Sequence, residues 1–460
     1  MRIDYPSSYT ERIGAVSIHA LQKIYELDSG EHPSRITSFP IHPSTTTIPA
    51  PTTIPAPNSS STFVSSTSSN SNNQHQQHNQ QQEHPTRAYS YHALSKIFRE
   101  LAIVIPVKNE KISLLEGVLS GIPNECLIII VSNSERTPVD RFSMEVEMIR
   151  QYSLFANKNI MVIHQKDKDL ARAFKKVKYT SILDSKKNYI RNGKAEGMIV
   201  GMLLAKMQLK KYVGFIDSDN YFPGAVNEYV KIFATGFAMS TTPYSNIRVS
   251  WASKPKIVNN QLKFPKWGRI SETSNKYLNA LISHITGIES DIITTGNAGE
   301  HALSMSLAEN LNYSTGYSVE PYEFINILEE FGGLLNANAN ANANANSSDI
   351  IEKGIEIFQI ESRNPHFHEE KGADHLTGMM EDSLLAINNS KICNTELTKD
   401  IKNHLMLLQV KQNYDTSSKV SNYQNKKKHQ RHRIMEPIKI IPMDEFAELV
   451  LKNSKTLTKI

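Results

Sequence analysis

Apolar positions along the chain fall into two patterns. Short continuous runs, "LAIVIPVKNE" (101–110), "CLIIIVSNS" (126–134), "NIMVIHQ" (159–165) and "KYVGFIDSDN" (211–220), are rich in β-branched residues and end in polar ones. Such runs mark strands covered on both faces, hence a largely parallel sheet. Between them, "KISLLEGVLSGI" and "NGKAEGMIVGMLLAKMQL" place apolar side chains at helical spacing. The alternation predicts an α/β fold: a mostly parallel central sheet flanked by helices, joined by right-handed crossovers. Ligands of such sheets bind beyond the C-terminal strand ends, so "PVKNE", "SNS" and "DSDN" should share one rim.

The flanking segments read differently. Ile18, Leu21, Ile24 and Tyr25 recur at helical spacing, which predicts an amphipathic helix over 10–28 within an N-terminal helical segment, 1–30. From 31 to 87 the chain is low in complexity, with "TTIPAP" in tandem and then "NNQHQQHNQQQ". Proline and polar side chains cannot bury enough apolar area to offset chain entropy, so this reads as a disordered insertion. The catalytic domain is expected over 88–390, with a second low-complexity loop of Asn and Ala at 336–348. Residues 391–460 read as a C-terminal helical extension containing the basic run "KKKHQRHR" and a final apolar patch that packs back as a short strand and helix.

Composition narrows the picture only a little. The formal net charge of +5 over 460 residues suits anionic substrates but does not mark a nucleic-acid binder. The basic run is a solvated charge run on first reading, and no RNA-binding aromatic motif accompanies it. Cys126 and Cys393 lack metal-site spacing, which fits a reducing compartment. No signal-type apolar core and no membrane-length run are present, so a soluble cytoplasmic protein is expected. A homodimer is compatible with the chain, whose sequence carries no signal of oligomeric state.

The candidate chemistry begins at "DSDN". Asp217 and Asp219 follow an apolar strand, where buried acids without a partner are costly. Carboxylates two residues apart can offer hard oxygen ligands to Mg²⁺ or Mn²⁺. Asn109 and Glu110, at the end of the first strand, offer an amide and a carboxylate to a nucleotide, although Asn before Glu is also ordinary helix-start chemistry. In "YIRNGKAEG", Arg191, Gly193 and Lys194 precede a helix, and backbone N–H groups beside cations suit a diphosphate. Neither a P-loop nor a strand-linked dinucleotide fingerprint occurs. In "ESRNPHFHEEKG", His366 or His368 could complete a metal site begun by the acids. Gly268, Arg269 and Ser271 of "WGRISE" offer a close backbone, a guanidinium and a hydroxyl to a small phosphorylated acid. In "TTGNAGEHALS", glycines and Glu300 are expected before a helix.

Taken in order, "PVKNE", "SNS", "RNGKAEG", "DSDN", "WGRISE", "GNAGEHAL" and "RNPHFHEEKG" resemble the mannosyl-3-phosphoglycerate synthase family. The resemblance implies a GT-A-type glycosyltransferase fold. It also implies transfer of mannose from GDP-mannose to 3-phosphoglycerate with retention, a divalent cation, and a product on the way to the compatible solute mannosylglycerate. It places Pro106, Val107, Asn109, Glu110 and Ser132 around the guanosine. Gly193 and Lys194 fall on the donor, Asp217, Asp219 and His366 or His368 on the metal. By likeness to the related glucosyl-3-phosphoglycerate synthases, Gly268, Arg269 and Ser271 fall on the acceptor, with Glu300 nearby. A glucosyl-transferring relative is the nearest alternative, and an RNA-associated protein using the basic run is the alternative from another class.

Overall fold

The computed structural model describes residues 1–4, 9–27, 86–220, 222–333, 345–367, 373–416 and 433–460. Arg269 and a few other helix and strand residues are described by their backbone alone. His368, the 31–85 part of the low-complexity segment, most of the Asn/Ala loop and the basic run up to His432 lie outside the described residues.

In chain order the strands are β1 (Arg2–Asp4), β2 (Thr10–Ile13), β3 (Val16–His19), β4 (Gln22–Glu26), β5 (Thr86–Ala88), β6 (Leu101–Val107), β7 (Leu127–Ser132), β8 (Asn159–His164) and β9 (Tyr212–Phe215). They continue with β10 (Ser245–Ser250), β11 (Lys256–Val258), β12 (Gln261–Lys263), β13 (His301–Ser304), β14 (Tyr313–Ser314), β15 (Ile355–Glu361), β16 (Ile434–Met435) and β17 (Thr458–Lys459). Among the described residues, thirteen of these form one sheet in the order β17-β8-β7-β6-β9-β13-β10-β15-β4-β1-β5, with β3 also on β15 and β2 on β3. The four apolar runs are β6 to β9, mutually parallel as the alternation requires. Leu101, Ile103 and Ile105 of β6 enter one hydrophobic cluster and Ala102 and Val104 the other, so both faces are covered. That is why the run is apolar without alternation.

The sheet is mixed: β17, β1 and β2 pair antiparallel toward its edges, and one internal strand is reversed. β13 runs antiparallel to both β9 and β10, while β10 and β15 are parallel. Hence β6, β7, β8, β9, β10 and β15 all point the same way, and their C-terminal ends form one rim. Between β9 and β10, β13 reaches that rim with its N-terminal end.

The helix expected over 10–28 is not there. β2 and β3 form a hairpin and β4 follows, with β3 and β4 parallel to β15. Val16, Ile18 and Ile24 are buried at every-second-residue spacing, whereas Tyr25 is exposed and Leu21 only half-buried. So short a stretch carries few apolar residues to decide between the periods, and pairing with β15 selects the strand. The hairpin turns at Gly14, whose φ of 57° is the left-handed region. Ala15 N–H donates to Phe331 O (3.0 Å), and Ile355 N–H donates to Ala15 O (2.8 Å). The final apolar patch does pack back. Phe446 and Val450 of the helix Met443–Asn453 are buried, Phe446 lies 4.9 Å from Phe174, and β17 extends the sheet beside β8. A short 3-10 turn, Ile438–Ile440, precedes the helix.

A Cβ at residue 14 would stand 2.5 Å from the Gly332 carbonyl carbon, on top of an unfavourable φ. Gly14→Ala is therefore expected to cost about 1–3 kcal/mol, read as a lowered thermal midpoint. An unchanged midpoint would show that the turn relaxes without loss.

Candidate active site

The rim surrounds a cavity of about 260 Å³. Its floor is β9's continuation, where Asp217, Ser218 and Asp219 leave the strand. Pro106, Val107 and Glu110 come from the end of β6, Trp251 and Lys254 from the end of β10, and His366 from the loop after β15. Gly193 and Lys194 belong to the start of the helix Lys194–Met207, and Ile270 and Ser271 to the start of the helix Arg269–Thr286. Two helix N-termini thus open on one cavity, each with the positive end of a helix dipole.

Lys194 is the centre of the electrostatics. Its ammonium lies 2.6 Å from Asp217 Oδ1 and 2.7 Å from Glu320 Oε1. Burial alone would lower its pKa, but the two carboxylates hold it well above the ordinary lysine value. Gln165 donates to Arg191 O (2.7 Å), which fixes the chain entering this helix, and buried Glu196 pairs with Arg191 Nε at 3.4 Å. Lys254 is a second cation in the cavity, 4.3 Å from the Trp251 ring centroid, its pKa lowered by burial.

His366 is set by its surroundings. Its ring stacks on Trp251 with centroids 4.2 Å apart, and Nδ1 lies 3.2 Å from the Tyr229 hydroxyl. The His366 backbone N–H donates to Ser253 O (2.9 Å). The preceding loop is tied down by buried Glu228, which accepts from the Arg363 N–H (2.6 Å) and the Asn364 N–H (2.9 Å). The Tyr229 contact holds the ring through Nδ1, as outer partners commonly orient a metal-binding histidine.

Asp217, Asp219 and His366 supply carboxylate oxygens and an imidazole to the same cavity, a donor set that suits a divalent cation. A Cβ at Gly299 would stand 2.5 Å from Asp217 Oδ2, so only glycine leaves that carboxylate its position. Among the described residues, no three His, Cys, Asp or Glu side chains are gathered closely enough to enclose a metal. On Asp217 the Lys194 ammonium stands where a cation would.

Several residues expected at the site lie beneath it instead. Ser132 is fully buried and donates to Glu145 Oε2 (2.6 Å), while Ser134 donates to Glu145 Oε1 (2.6 Å). Asn109, in the left-handed region with φ 61°, accepts from the Glu135 N–H (2.9 Å) and gives its own N–H to Ser134 Oγ (2.7 Å). It shapes the β6–β7 rim and caps no helix, since the next helix starts after Lys111. Gly268 is the N-cap of its helix in extended conformation, and the Arg269 side chain is not described. Glu300 precedes β13 rather than a helix and is wholly buried. It accepts from Asn220 Nδ2 (2.8 Å) and Trp251 Nε1 (2.8 Å), so it braces the aspartate loop and the ring that His366 stacks on. Burial first, then the charge of Asp217, pushes its carboxyl up to about 7. Sequence reading missed Glu320 and Lys254, because nothing local marks an acid in a helix's first turn or a lysine in a loop.

An α/β rim with two lysines, two helix N-termini, paired strand-end acids and an imidazole has the chemistry to handle phosphorylated ligands. The sequence model of the family described as mannosyl-3-phosphoglycerate synthase (osmo_MPGsynth) matches residues 6–450. The chain is 41% identical over 451 residues to the mannosyl-3-phosphoglycerate synthase of Pyrococcus furiosus, covering 98% of each. It is 36% identical over 306 residues to that of Aeropyrum pernix, covering 66% of this chain and 76% of that one. Among solved structures, glucosyl-3-phosphoglycerate synthase from Mycobacterium tuberculosis with UDP superposes with a TM-score of 0.43 at 15% identity, over 67% of this chain and 87% of that one. The chain belongs to the mannosyl-3-phosphoglycerate synthase family, and is thereby a glycosyltransferase. No helix among the described residues is long and apolar enough to cross a membrane.

The Gly299 contact falls on the end of a side chain, so Gly299→Ala should leave the fold intact and displace Asp217. Turnover is expected to fall about tenfold or more, the scale of misplaced catalytic groups, with a near wild-type melt. Wild-type turnover would remove Asp217 from the site.

Proposed function

We propose that this enzyme transfers mannose from GDP-mannose to 3-phosphoglycerate with retention, using Mg²⁺ or Mn²⁺ on a GT-A-type framework. The observation that carries the reading is the Lys194 ammonium at a helix N-terminus, in one cavity with Asp217, Asp219, His366 and Ser271. The family supplies the acceptor and the sugar.

The donor's base and ribose lie against Pro106, Val107 and Glu110, with Asn109 and Ser132 fixing the rim behind them. Its diphosphate faces the Lys194 N-terminus, where the helix dipole and the ammonium offset the charge that grows on the leaving group. Asp219, Asp217 and His366 would hold the divalent cation, which supplies Lewis-acid stabilisation of that same charge. Ser271, with Gly268 and Arg269 at the opposite helix N-terminus, binds the acceptor's phosphate or carboxylate. The acceptor's 2-hydroxyl is thereby turned toward the anomeric carbon, an orientation effect. Attack from the same face as the leaving group accounts for retention, and a donor phosphate oxygen takes the hydroxyl proton. Glu320, neutralised by Lys194, is not left to serve as a nucleophile.

Purified protein should release GDP from GDP-mannose only with 3-phosphoglycerate present, and EDTA should stop it. GDP-glucose or UDP-glucose preferred over GDP-mannose would keep the site and change the sugar. No turnover with any pair in folded protein would overturn the reading. Asp219→Ala should lower turnover by at least about a hundredfold, as for loss of a transition-state charge stabiliser, and wild-type turnover would remove the metal assignment.

A further inference from the structure

We propose that Glu320 is a positioning residue that draws the Lys194 ammonium away from Asp217 when a divalent cation takes that carboxylate. This deepens the metal reading above and rests on it. Asp217 Oδ1 already holds a cation, the ammonium at 2.6 Å, so lysine and metal ion compete for one carboxylate. An ammonium released into a buried cavity without another partner would be costly. Glu320 Oε1, 2.7 Å from the same nitrogen, is that partner.

The two carboxylates differ in a way that suits this division. The Asp217 side chain is 35% exposed and sits on a loop, whereas that of Glu320 is 5% exposed. Glu320 lies in the first turn of the helix Val319–Phe331, where the dipole favours a negative charge. Its carbonyl accepts from Arg248 Nη2 (3.0 Å), and Arg248 is salt-bridged to Glu323 at 2.9 Å with both side chains fully buried. Glu320 is therefore the fixed post, and Asp217 is the more exposed of the two carboxylates that hold the lysine. Lysine held by Glu320 remains beside the donor's phosphates while the metal ion occupies the aspartates.

The test is a double-variant cycle on Mn²⁺ binding by full-length protein, with free Mn²⁺ read by electron paramagnetic resonance. Glu320→Gln should weaken Mn²⁺ binding and Lys194→Met should tighten it, each by about fivefold or more, the lower range of coupling between sites. In the Lys194→Met background, Glu320→Gln should change binding by less than about twofold, since it acts through the lysine. Equal weakening in both backgrounds would mean that Glu320 acts only as a nearby negative charge, and the proposal falls. No weakening in either background also overturns it. Should Glu320→Gln fail to fold, Lys194→Met alone decides, because unchanged Mn²⁺ binding removes the competition. Asp219→Ala separates the two readings: if wild-type protein binds no Mn²⁺ that this change removes, the metal reading itself fails. If Asp219→Ala abolishes binding and the cycle is flat, only the role of Glu320 fails.

Discussion

Lys194 lies within hydrogen-bond reach of both Asp217 and Glu320, and none of the three could occupy its place alone. A buried ammonium without carboxylates would give up its proton, and a buried carboxylate without a cation would take one up. Together they make a triad of net charge minus one at the mouth of a helix N-terminus. That arrangement explains why "DSDN" tolerates acids at the end of an apolar strand. The charge is offset first by a lysine that the next helix back delivers, and a metal ion is an addition to an already compensated site.

The triad is held from below by a second set of buried charges. Arg248 pairs with Glu323, and His301 Nε2 lies 3.1 Å from the other oxygen of the same carboxylate. Arg248 also donates to Thr295 O (3.1 Å), so one guanidinium braces both the helix that carries Glu320 and the segment leading to Gly299. Interactions of this kind add little net stability, because desolvation offsets the attraction. Their consequence is geometric: β10, β13 and the helix Val319–Phe331 are locked in one register at the point where they meet the cavity.

Much of this was legible in the sequence, but unevenly. The four central strands were plain because a strand covered on both faces has no alternation to misread, and Lys194, Asp217, Asp219 and Ser271 followed from their places at strand or helix ends. The N-terminal strands were misread because Ile18, Leu21, Ile24 and Tyr25 fall at helical spacing, whereas only Ile18 and Ile24 are buried on the strands. Glu320 and Lys254 carried no local signal, since their roles arise from elements distant in sequence. Asn109, Ser132 and Glu300 were recognised as polar groups near the rim, but side-chain direction placed them under it. Ser132 turns to Glu145, and Glu300 turns to Asn220 and Trp251.

The reversed strand β13 ties these outcomes together. Had it been parallel to its neighbours, "GNAGEH" would enter from the far edge of the sheet and reach no ligand. Running antiparallel between β9 and β10, it brings Asn297 and Gly299 to the rim from the opposite chain direction. The missing side chain at Gly299 then admits Asp217, while the next residue, Glu300, points inward and braces the loop that Asp217 begins. A backbone reversal thus gives two adjacent residues opposite tasks, one making room at the site and one supporting it from behind. Residue type alone could not separate those tasks, because adjacent residues of extended backbone point to opposite sides.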